Sequence, residues 1–498
     1  MRYAVPMGSR LPARFALLVL ALTCDPPPAR GADTEDAVRA ITAQLRARHF
    51  QEALDLARVA EKSAPKEVRI LVLEGMALTG LRQDGQALTV FERAIAISPD
   101  YIPALEAAVE IEYRTGSPNA QAHLERLLTL RPGEPTAHAM MGALAWKRED
   151  CAAAVEHYGQ ATAAIASQPD ALREYGICLA RVKRADDAAK VFGQLAVLRP
   201  EDKRARYAWA VSLIDAARYR NAIGVLEPLA GGSAPDPIAL ELTSSAFESM
   251  GQTPRAVAAL RQAVLLDPRN VELYLDFAAL SFTHQSFQVG IDMINAGLTQ
   301  AGDSAAMYLA RGVLYVQLAE YAKADADFDR AERLDPIQGL GSAARGLSMI
   351  QQNNLDEALV TVRERLKTNP KDEFQHYLLA ELLSRQGVQA GTPEFQQAID
   401  SAREAVRLKP DFPLARDVLS RLYLQSGETG KAIEQCRLAL RDDPSDEMAL
   451  YRLIRALQSA GGDAAQEVPA LLKRFTALRE EARRRQSQET QYRLVEAK

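Results

Sequence analysis

Long apolar runs, cysteines and aromatic residues are all scarce in this chain of 498 residues. It has four cysteines, two tryptophans and an aromatic fraction of only 6%. The apolar run Phe15–Leu22 is too short for a bilayer, which needs about 20 residues, and no later run approaches that length. The sequence therefore predicts no transmembrane span.

Motifs that mark catalytic and cofactor sites are missing as well. There is no Gly-x-Ser-x-Gly elbow, P-loop or His-Glu-x-x-His, and no strand precedes Gly339-x-Gly341, as a dinucleotide loop requires. No histidine is spaced from another ligand as in a zinc motif. We therefore expect no enzymatic activity, no cofactor and no metal site. The histidines are His49, His123, His138, His157, His284 and His376.

The charges give no reason to expect a nucleic-acid or calcium ligand. The net charge is −5 with both signs interspersed, whereas nucleic-acid binding favours a basic patch. Asp325, Asp327 and Asp329 resemble the start of a calcium loop, but Arg330 follows where that loop needs glycine. Pro336 stands where the loop needs its closing glutamate. We predict that these aspartates form a solvated helix face.

Residues 305–338 show what the chain does contain. Their pattern predicts one helix from Ala305 to Leu318 and a second from Tyr321 to Leu334, joined by a tight turn. Pro336 ends the unit because proline has no N–H and clashes with a preceding helical turn. Small and bulky residues alternate where two helices must approach: Gly312, Ala324 and Ala331 against Tyr308, Tyr315 and Phe328.

The same order of small residue, alanine, bulky residue and proline recurs from about residue 34 to residue 470. One unit cannot bury its apolar face alone, so a run of such units indicates a stack. Six extra residues around Gly387–Pro393 predict a loop between two helices of one unit. Two repeats that show the order are Gly75, Ala87, Phe91 and Pro99, and Gly176, Ala188, Phe192 and Pro200.

This pattern resembles the tetratricopeptide repeat, a helix–turn–helix unit of 34 residues. The residues that carry the likeness are Tyr308, Arg311, Gly312, Tyr315, Ala324, Phe328 and Pro336, with Arg311 where leucine is usual. The resemblance implies an all-α fold, a right-handed superhelical α-solenoid of about 12 or 13 units over residues 33–470. Residues 471–498 are rich in charge, and we expect them to form a capping helix, because a stack must end in a polar face.

Residues 1–32 have the layout of a secretory signal. Arg2, Arg10 and Arg14 precede the apolar run, and small residues near Gly31/Ala32 suit signal peptidase. We therefore expect an exported protein that is periplasmic or extracellular.

The four cysteines have different expected fates. Cys24 leaves with the signal, and lipid attachment there is disfavoured because Ala21-Leu22-Thr23 fits a lipoprotein signal poorly. Cys436 takes a bulky core position and should be buried. Cys151 and Cys178 lie in adjacent repeats, and a disulfide between them is compatible with export. The sequence leaves that pairing open, because it does not give the geometry.

The resemblance also implies a binding groove lined by the first helix of each unit, at its second, fifth, ninth and twelfth residues. The alternative for this apolar stripe is packing against the neighbouring first helix. The groove residues implied in this way are Leu275, Phe282, Leu309, Val313, Val316, Leu347, Ile350, Arg173, Arg204, Tyr207, Tyr377 and Arg421.

The sequence thus predicts a non-catalytic scaffold or adaptor of the cell envelope that binds a segment of a protein partner. One alternative is a polysaccharide- or peptide-binding module that delivers ligand to an envelope enzyme or a secretion machine. The presence of only two tryptophans, Trp146 and Trp209, argues against an aromatic-lined groove. Another alternative is a self-associating structural protein. The partner and the oligomeric state stay open.

Overall fold

The computed structural model describes residues 32–335 and 340–491, which are mostly helical and contain no strand. Contacts divide the chain into two units, Met1–Pro228 and Leu229–Lys498. The predicted signal segment lies outside the described residues, apart from Ala32. Across the described ranges, no helix is both long enough and apolar enough to span a membrane.

The helices are numbered along the chain. Those up to the boundary between the units are α1 (Ala32–Arg46), α2 (Phe50–Ser63), α3 (Val68–Gly80), α4 (Asp84–Ile97), α5 (Ile102–Thr115), α6 (Ala120–Leu130), α7 (Pro135–Lys147), α8 (Cys151–Gln160), α9 (Thr162–Ile165), α10 (Pro169–Arg181), α11 (Ala185–Leu198), α12 (Lys203–Asp215) and α13 (Tyr219–Ala230), whose last residues cross that boundary. The following helices are α14 (Pro237–Ser249), α15 (Thr253–Leu266), α16 (Val271–Thr283), α17 (Phe287–Ala301), α18 (Ala305–Gln317), α19 (Tyr321–Leu334), α20 (Leu340–Gln351), α21 (Leu355–Thr368), α22 (Glu373–Arg385), α23 (Pro393–Leu408), α24 (Pro413–Gln425), α25 (Thr429–Asp442), α26 (Glu447–Ala460) and α27 (Val468–Gln491).

Each unit is built from helical hairpins in which a first helix packs against the second helix that follows it. In the second unit, α16 and α17 form one hairpin and α18 and α19 the next, and the first helices α16 and α18 also contact each other. The hairpin predicted in this part of the chain follows the expected bounds within a residue: α18 is Ala305–Gln317 and α19 is Tyr321–Leu334. The predicted loop around Gly387–Pro393 is confirmed, because α22 ends at Arg385 and α23 begins at Pro393.

The recurring pair of glycine and aromatic residue is explained by close packing within a hairpin. A Cβ atom added to Gly176 would lie 2.8 Å from the ring of Phe192, and one added to Gly142 would lie 2.9 Å from the ring of Tyr158. The ring of Phe328 packs in the same way against Gly312. The missing side chain on the first helix is therefore what admits a large ring from the second helix.

A left-handed residue recurs once per repeat in the turn between the two helices of a hairpin. Its φ is positive whether the residue is glycine or not, as in Gly251 (φ 69°) and Ala319 (φ 57°). This conformation costs an L-amino acid about 1–2 kcal/mol and costs glycine almost nothing. The turn residues are Arg48, Arg82, Gly116, Glu149, Lys183, Ala217, Gly251, Gln285, Ala319, Asn353, Gly387, Gly427 and Gly461.

Ala319→Gly is therefore expected to stabilise its hairpin by about 1 kcal/mol, because it removes the left-handed penalty. The matched control is Ala326→Gly, at an exposed position inside α19, which should destabilise by about 1 kcal/mol. Urea denaturation measures both changes. A loss of stability from Ala319→Gly would contradict this account of the turn.

Side chains near the start of several first helices bind the carbonyl of the proline that closes the preceding repeat. The Tyr274 hydroxyl donates to the Pro268 carbonyl at 2.8 Å, and Arg416 Nε donates to the Pro410 carbonyl at 3.1 Å. His138 and His376 make the same type of bond through Nε2, to Pro132 and Pro370. The closing prolines thus end one repeat and also supply the acceptor that ties it to the next.

Asp327 corrects the prediction that the aspartates of α19 form a solvated face. Its side chain is buried, and both its oxygens accept hydrogen bonds from Arg311 on α18, at 2.8 and 2.7 Å. Arg311 Nη1 also donates to Asn295 of α17. The departure from the usual leucine is therefore matched by a buried carboxylate on the second helix.

Cys151 at the start of α8 and Cys178 near the end of α10 form a disulfide in the first unit, with Cα atoms 4.8 Å apart. Both residues are buried. Cys436 is buried too, and burial raises the pKa of its thiol to about 11. The structure thus decides the pairing that the sequence leaves open.

At the C-terminal end, α27 follows a 3₁₀ helix (Gly462–Glu467) and packs against α26. Leu471, Phe475 and Leu478 cover the buried side chains of α26, while residues 480–484 of the same helix are exposed. One side of the helix thus covers the end of the stack.

Candidate partner-binding surface

Three consecutive first helices of the second unit each leave a large apolar side chain exposed. They are Phe282 on α16 (43% exposed), Val313 on α18 (39%) and Leu347 on α20 (45%). These three residues are called the apolar face below. Helix α16 contacts α18, and α18 contacts α20, so the three residues lie on neighbouring elements. Exposed apolar side chains on adjacent helices are a common feature of protein-binding surfaces.

The same first helices also carry half-buried leucines that pack into the core. Leu275 on α16 packs against a cluster that contains Tyr274 and Ile291, and Leu309 on α18 packs beside Phe328. The ring of Phe282 contacts the ring of Phe287 edge-on, with centroids 5.9 Å apart. Packed side chains therefore anchor α16 and α18, which limits the entropy that a partner must remove on binding.

Three of the implied groove residues belong to the core instead. Val316 is 7% exposed, and Ile350 and Tyr377 are each 8% exposed. Tyr377 packs against Phe412, with ring centroids 5.3 Å apart. Their side chains pack against neighbouring helices and offer almost no surface to a partner, so the structure places them in the core and not on an exposed face.

The groove residues implied in the first unit are polar and lie on two of its first helices, α10 and α12. Arg173 is half-buried and forms an ion pair of 2.8 Å with Asp170 on its own helix. Arg204 is exposed and Tyr207 is half-buried, both on α12. The structure assigns them no joint site.

Arg421 forms an ion pair that joins two successive first helices. It bonds Glu381 of α22, a carboxylate that is 5% exposed and that Arg385 also contacts. On the next pair of helices, Asp417 of α24 accepts from Arg452 of α26 at 3.0 Å. These pairs join the repeats to one another, so Arg421 has a structural role in the stack.

Acidic side chains that the sequence reasoning missed lie on the first helices α14 and α16. Burial, together with the negative charges of Asp276 and Glu272, raises the pKa of Glu241 to about 7. Burial likewise raises the pKa of Asp276, with Glu272 again contributing. Glu272, Asp276 and Phe282 are all exposed on α16, so the helix that contributes Phe282 to the apolar face also carries negative charge. The spacing of four residues between Glu272 and Asp276 places both on one side of a helix, and this spacing is the sequence signal that predicts an acidic pair there.

Glu241 is expected to make the stability of the second unit depend on pH. Because its pKa is higher in the folded state, the folded chain binds more protons, and stability falls as pH rises from about 4.3, the unfolded value, to about 7. Glu241→Gln should remove part of that fall. The test is urea unfolding at pH 5 and pH 8, with Glu394→Gln, an exposed position on α23, as control. An unchanged pH dependence in Glu241→Gln would contradict the assignment.

Comparison with known proteins identifies the repeats. Residues 38–102, 139–203 and 393–447 match one tetratricopeptide-repeat family, and residues 305–338 match a second. No curated protein matches the chain.

Solved structures show likeness at low identity. Yeast Tom70 is 14% identical with a TM-score of 0.40, covering 91% of this chain and 96% of its own. Naa15/Naa10 bound to HypK-THB is 14% identical with a TM-score of 0.38, covering 92% of this chain and 79% of its own. The APC/C hetero-tetramer Cut9–Hcn1 is 12% identical with a TM-score of 0.35, covering 86% of this chain and 97% of its own.

These scores are too low for the likeness to carry an argument about function. The family matches agree with the all-α hairpins, the packed glycine and aromatic pairs and the closing prolines. The chain is therefore a tetratricopeptide-repeat protein.

Proposed function

We propose that this protein is an exported, non-catalytic scaffold of the cell envelope that binds a segment of a protein partner on the first helices of its second unit. The observation that carries the proposal is the apolar face, Phe282, Val313 and Leu347 on three contacting first helices. Helical repeats use such faces to hold a partner's helix or extended segment through side-chain anchors. The proposal goes beyond the family, because the fold alone does not define a partner.

The chemistry around the face specifies the kind of segment. Burial and the negative charges of Asp276 and Glu272 raise the pKa of Glu241 on α14. Glu272 and Asp276 lie on α16, so the helix that carries Phe282 also carries negative charge. A cationic side chain of the partner would offset it. The segment that fits is therefore apolar with basic residues at one end.

Export is supported by two independent features. The first 32 residues have a basic stretch, an apolar run and small residues near Gly31/Ala32. The disulfide between Cys151 and Cys178 suits an oxidising compartment, where such bonds persist.

Site-specific photo-crosslinking in the native cell tests the binding surface. A photoreactive residue is placed at Val313 or at Leu347, one position at a time. The matched controls are Val360 on α21 and Leu265 on α15, apolar residues that are 63% and 81% exposed on second helices. We expect one partner to be captured from the first-helix positions and not from the controls, and mass spectrometry identifies both the partner and the crosslinked segment.

Two outcomes contradict the proposal. Equal capture from both sets of positions would show that the first helices are not a special surface. Capture of a second copy of this chain alone would favour a self-associating structural protein.

A further inference from the structure

Two histidines of the first unit face each other across one hairpin. His138 lies on α7 and His157 on α8, and their Nδ1 atoms are 3.0 Å apart. The ring centroids are 5.3 Å apart, so the rings approach through their nitrogens and do not stack. Both side chains are half-buried.

The hydrogen bonds define which nitrogen carries each proton. His138 Nε2 donates to the Pro132 carbonyl at 2.8 Å, so the neutral ring has its lone pair on Nδ1. His157 Nδ1 then carries the proton that joins the two rings. A histidine that donates its second ring N–H to a backbone carbonyl is oriented in the way that metal-ligating histidines are.

We propose that His138 and His157 form a two-histidine site for one divalent transition cation, with Cu²⁺ bound more tightly than Ni²⁺ or Zn²⁺. Both Nδ1 atoms become ligands, and the proton on His157 moves from Nδ1 to Nε2, so the rings stay neutral and release none. Water fills the other positions, because the described residues contain no group of three or more metal-ligating side chains.

The separation of the nitrogens suits this ion. Bonds of about 2.0–2.1 Å put two imidazole nitrogens about 2.9 Å apart at a right angle and about 3.3 Å apart at the tetrahedral angle. The observed 3.0 Å lies between these values. The rings have only to rotate until both lone pairs point at the ion, which half-exposed side chains allow.

The surroundings keep the imidazoles in the form that binds a metal. Burial and the neighbouring His138 lower the pKa of His157, although Glu156 and Glu125 act in the opposite direction. A lowered pKa favours the neutral ring, which is the form that ligates a metal ion. A bound ion would tie α7 to α8 inside the repeat that carries Cys151, one of the two disulfide cysteines. It would stabilise the folded hairpin by mass action, because the unfolded chain holds no such pair.

His376 provides a natural control. It makes the same bond to a closing proline, with Nε2 3.0 Å from the Pro370 carbonyl, and its Nδ1 is buried without a hydrogen-bond partner. None of its contacts within the described residues is to a second imidazole. A single ligand does not suffice, so this position should not contribute.

The test uses the mature chain, CuCl₂ and a buffer that does not bind metal. Titration calorimetry should show one tight site, and the electron paramagnetic resonance spectrum should show two coupled nitrogens. His138→Gln and His157→Gln should each weaken Cu²⁺ binding at least about tenfold, since even changes outside the first shell cost that much. His376→Gln should leave affinity and spectrum unchanged. Circular dichroism without metal confirms that each variant folds.

Equal affinities in all four proteins would overturn the proposal, as would a spectrum with oxygen ligands only. Neither result depends on the scaffold function, because the site lies in the first unit and its readouts involve no partner.

Discussion

Replacing Arg311 with leucine is expected to destabilise the hairpin of α18 and α19 by about 3 kcal/mol, although leucine is the usual residue there. Removing one member of a buried ion pair costs about 3–5 kcal/mol, because the remaining charge is left buried without its partner. Asp327 is 5% exposed and has its two hydrogen bonds from Arg311. We expect the smaller of these costs, about 3 kcal/mol, because the Arg311 side chain keeps 18% of its surface exposed.

The double variant Arg311→Leu with Asp327→Val should recover most of that loss. Buried ion pairs can often be replaced by apolar residues of similar size with little or no cost. Other repeats already use such residues: Leu379 stands at the place of Arg311, and Val191 at the place of Asp327. Both are buried.

The measurement is a double-mutant cycle by urea unfolding, with hydrogen exchange of the α18 and α19 amides to locate the effect. The control is Arg173→Leu, whose partner Asp170 is partly exposed and whose pair should contribute under 1 kcal/mol. A double variant as unstable as Arg311→Leu alone would contradict the account of the buried pair.

Removing the disulfide is expected to have the second large effect. Cys151 and Cys178 are 27 residues apart in sequence, and closing a loop of that length stabilises a fold by about 3.5 kcal/mol in the chain-entropy description. Cys151→Ala with Cys178→Ala should lower the free energy of unfolding of the first unit by that order. Reduction of the native chain should have a similar effect.

Cys436 supplies the control, because it is buried and unpaired. Cys436→Ala should leave the response to reductant unchanged. In protein taken directly from cells under acid quench, the thiols of Cys151 and Cys178 should resist alkylation until they are reduced. Free thiols at both positions would contradict the disulfide and remove one support for export.

The repeat register could be predicted from the sequence alone, because packing between the two helices of a hairpin depends on residue size. Gly176 and Phe192 must meet in one hairpin, and this requirement is visible as a fixed spacing of a small and a large residue. The loop before Pro393 was equally readable, because an insertion interrupts that spacing.

The sequence was not sufficient where burial depends on a partner from another helix. Asp327 is one of three aspartates at alternate positions, a pattern that predicts a solvated face. Its burial depends on Arg311, which lies on another helix and donates hydrogen bonds to it. His138 and His157 meet for the same reason, across a hairpin and not along a motif.

Only some of the groove positions implied by the family resemblance are exposed in this chain. The twelfth residue of the repeat is exposed in Phe282 and buried in Val316 and Ile350. The position of a residue within the repeat therefore does not by itself predict whether its side chain is exposed. The ninth residue, Val313 or Leu347, stays exposed on the helices of the apolar face.

The most direct test of the scaffold account is the affinity of the crosslinked partner segment, made as a peptide, for this protein. Phe282→Ser, Val313→Ser and Leu347→Ser together should weaken binding at least about 30-fold, because they remove the apolar anchors of the surface. Leu265→Ser with Val360→Ser, on second helices, should leave the dissociation constant unchanged. Equal affinity for the triple variant and the native protein would contradict binding on the first helices.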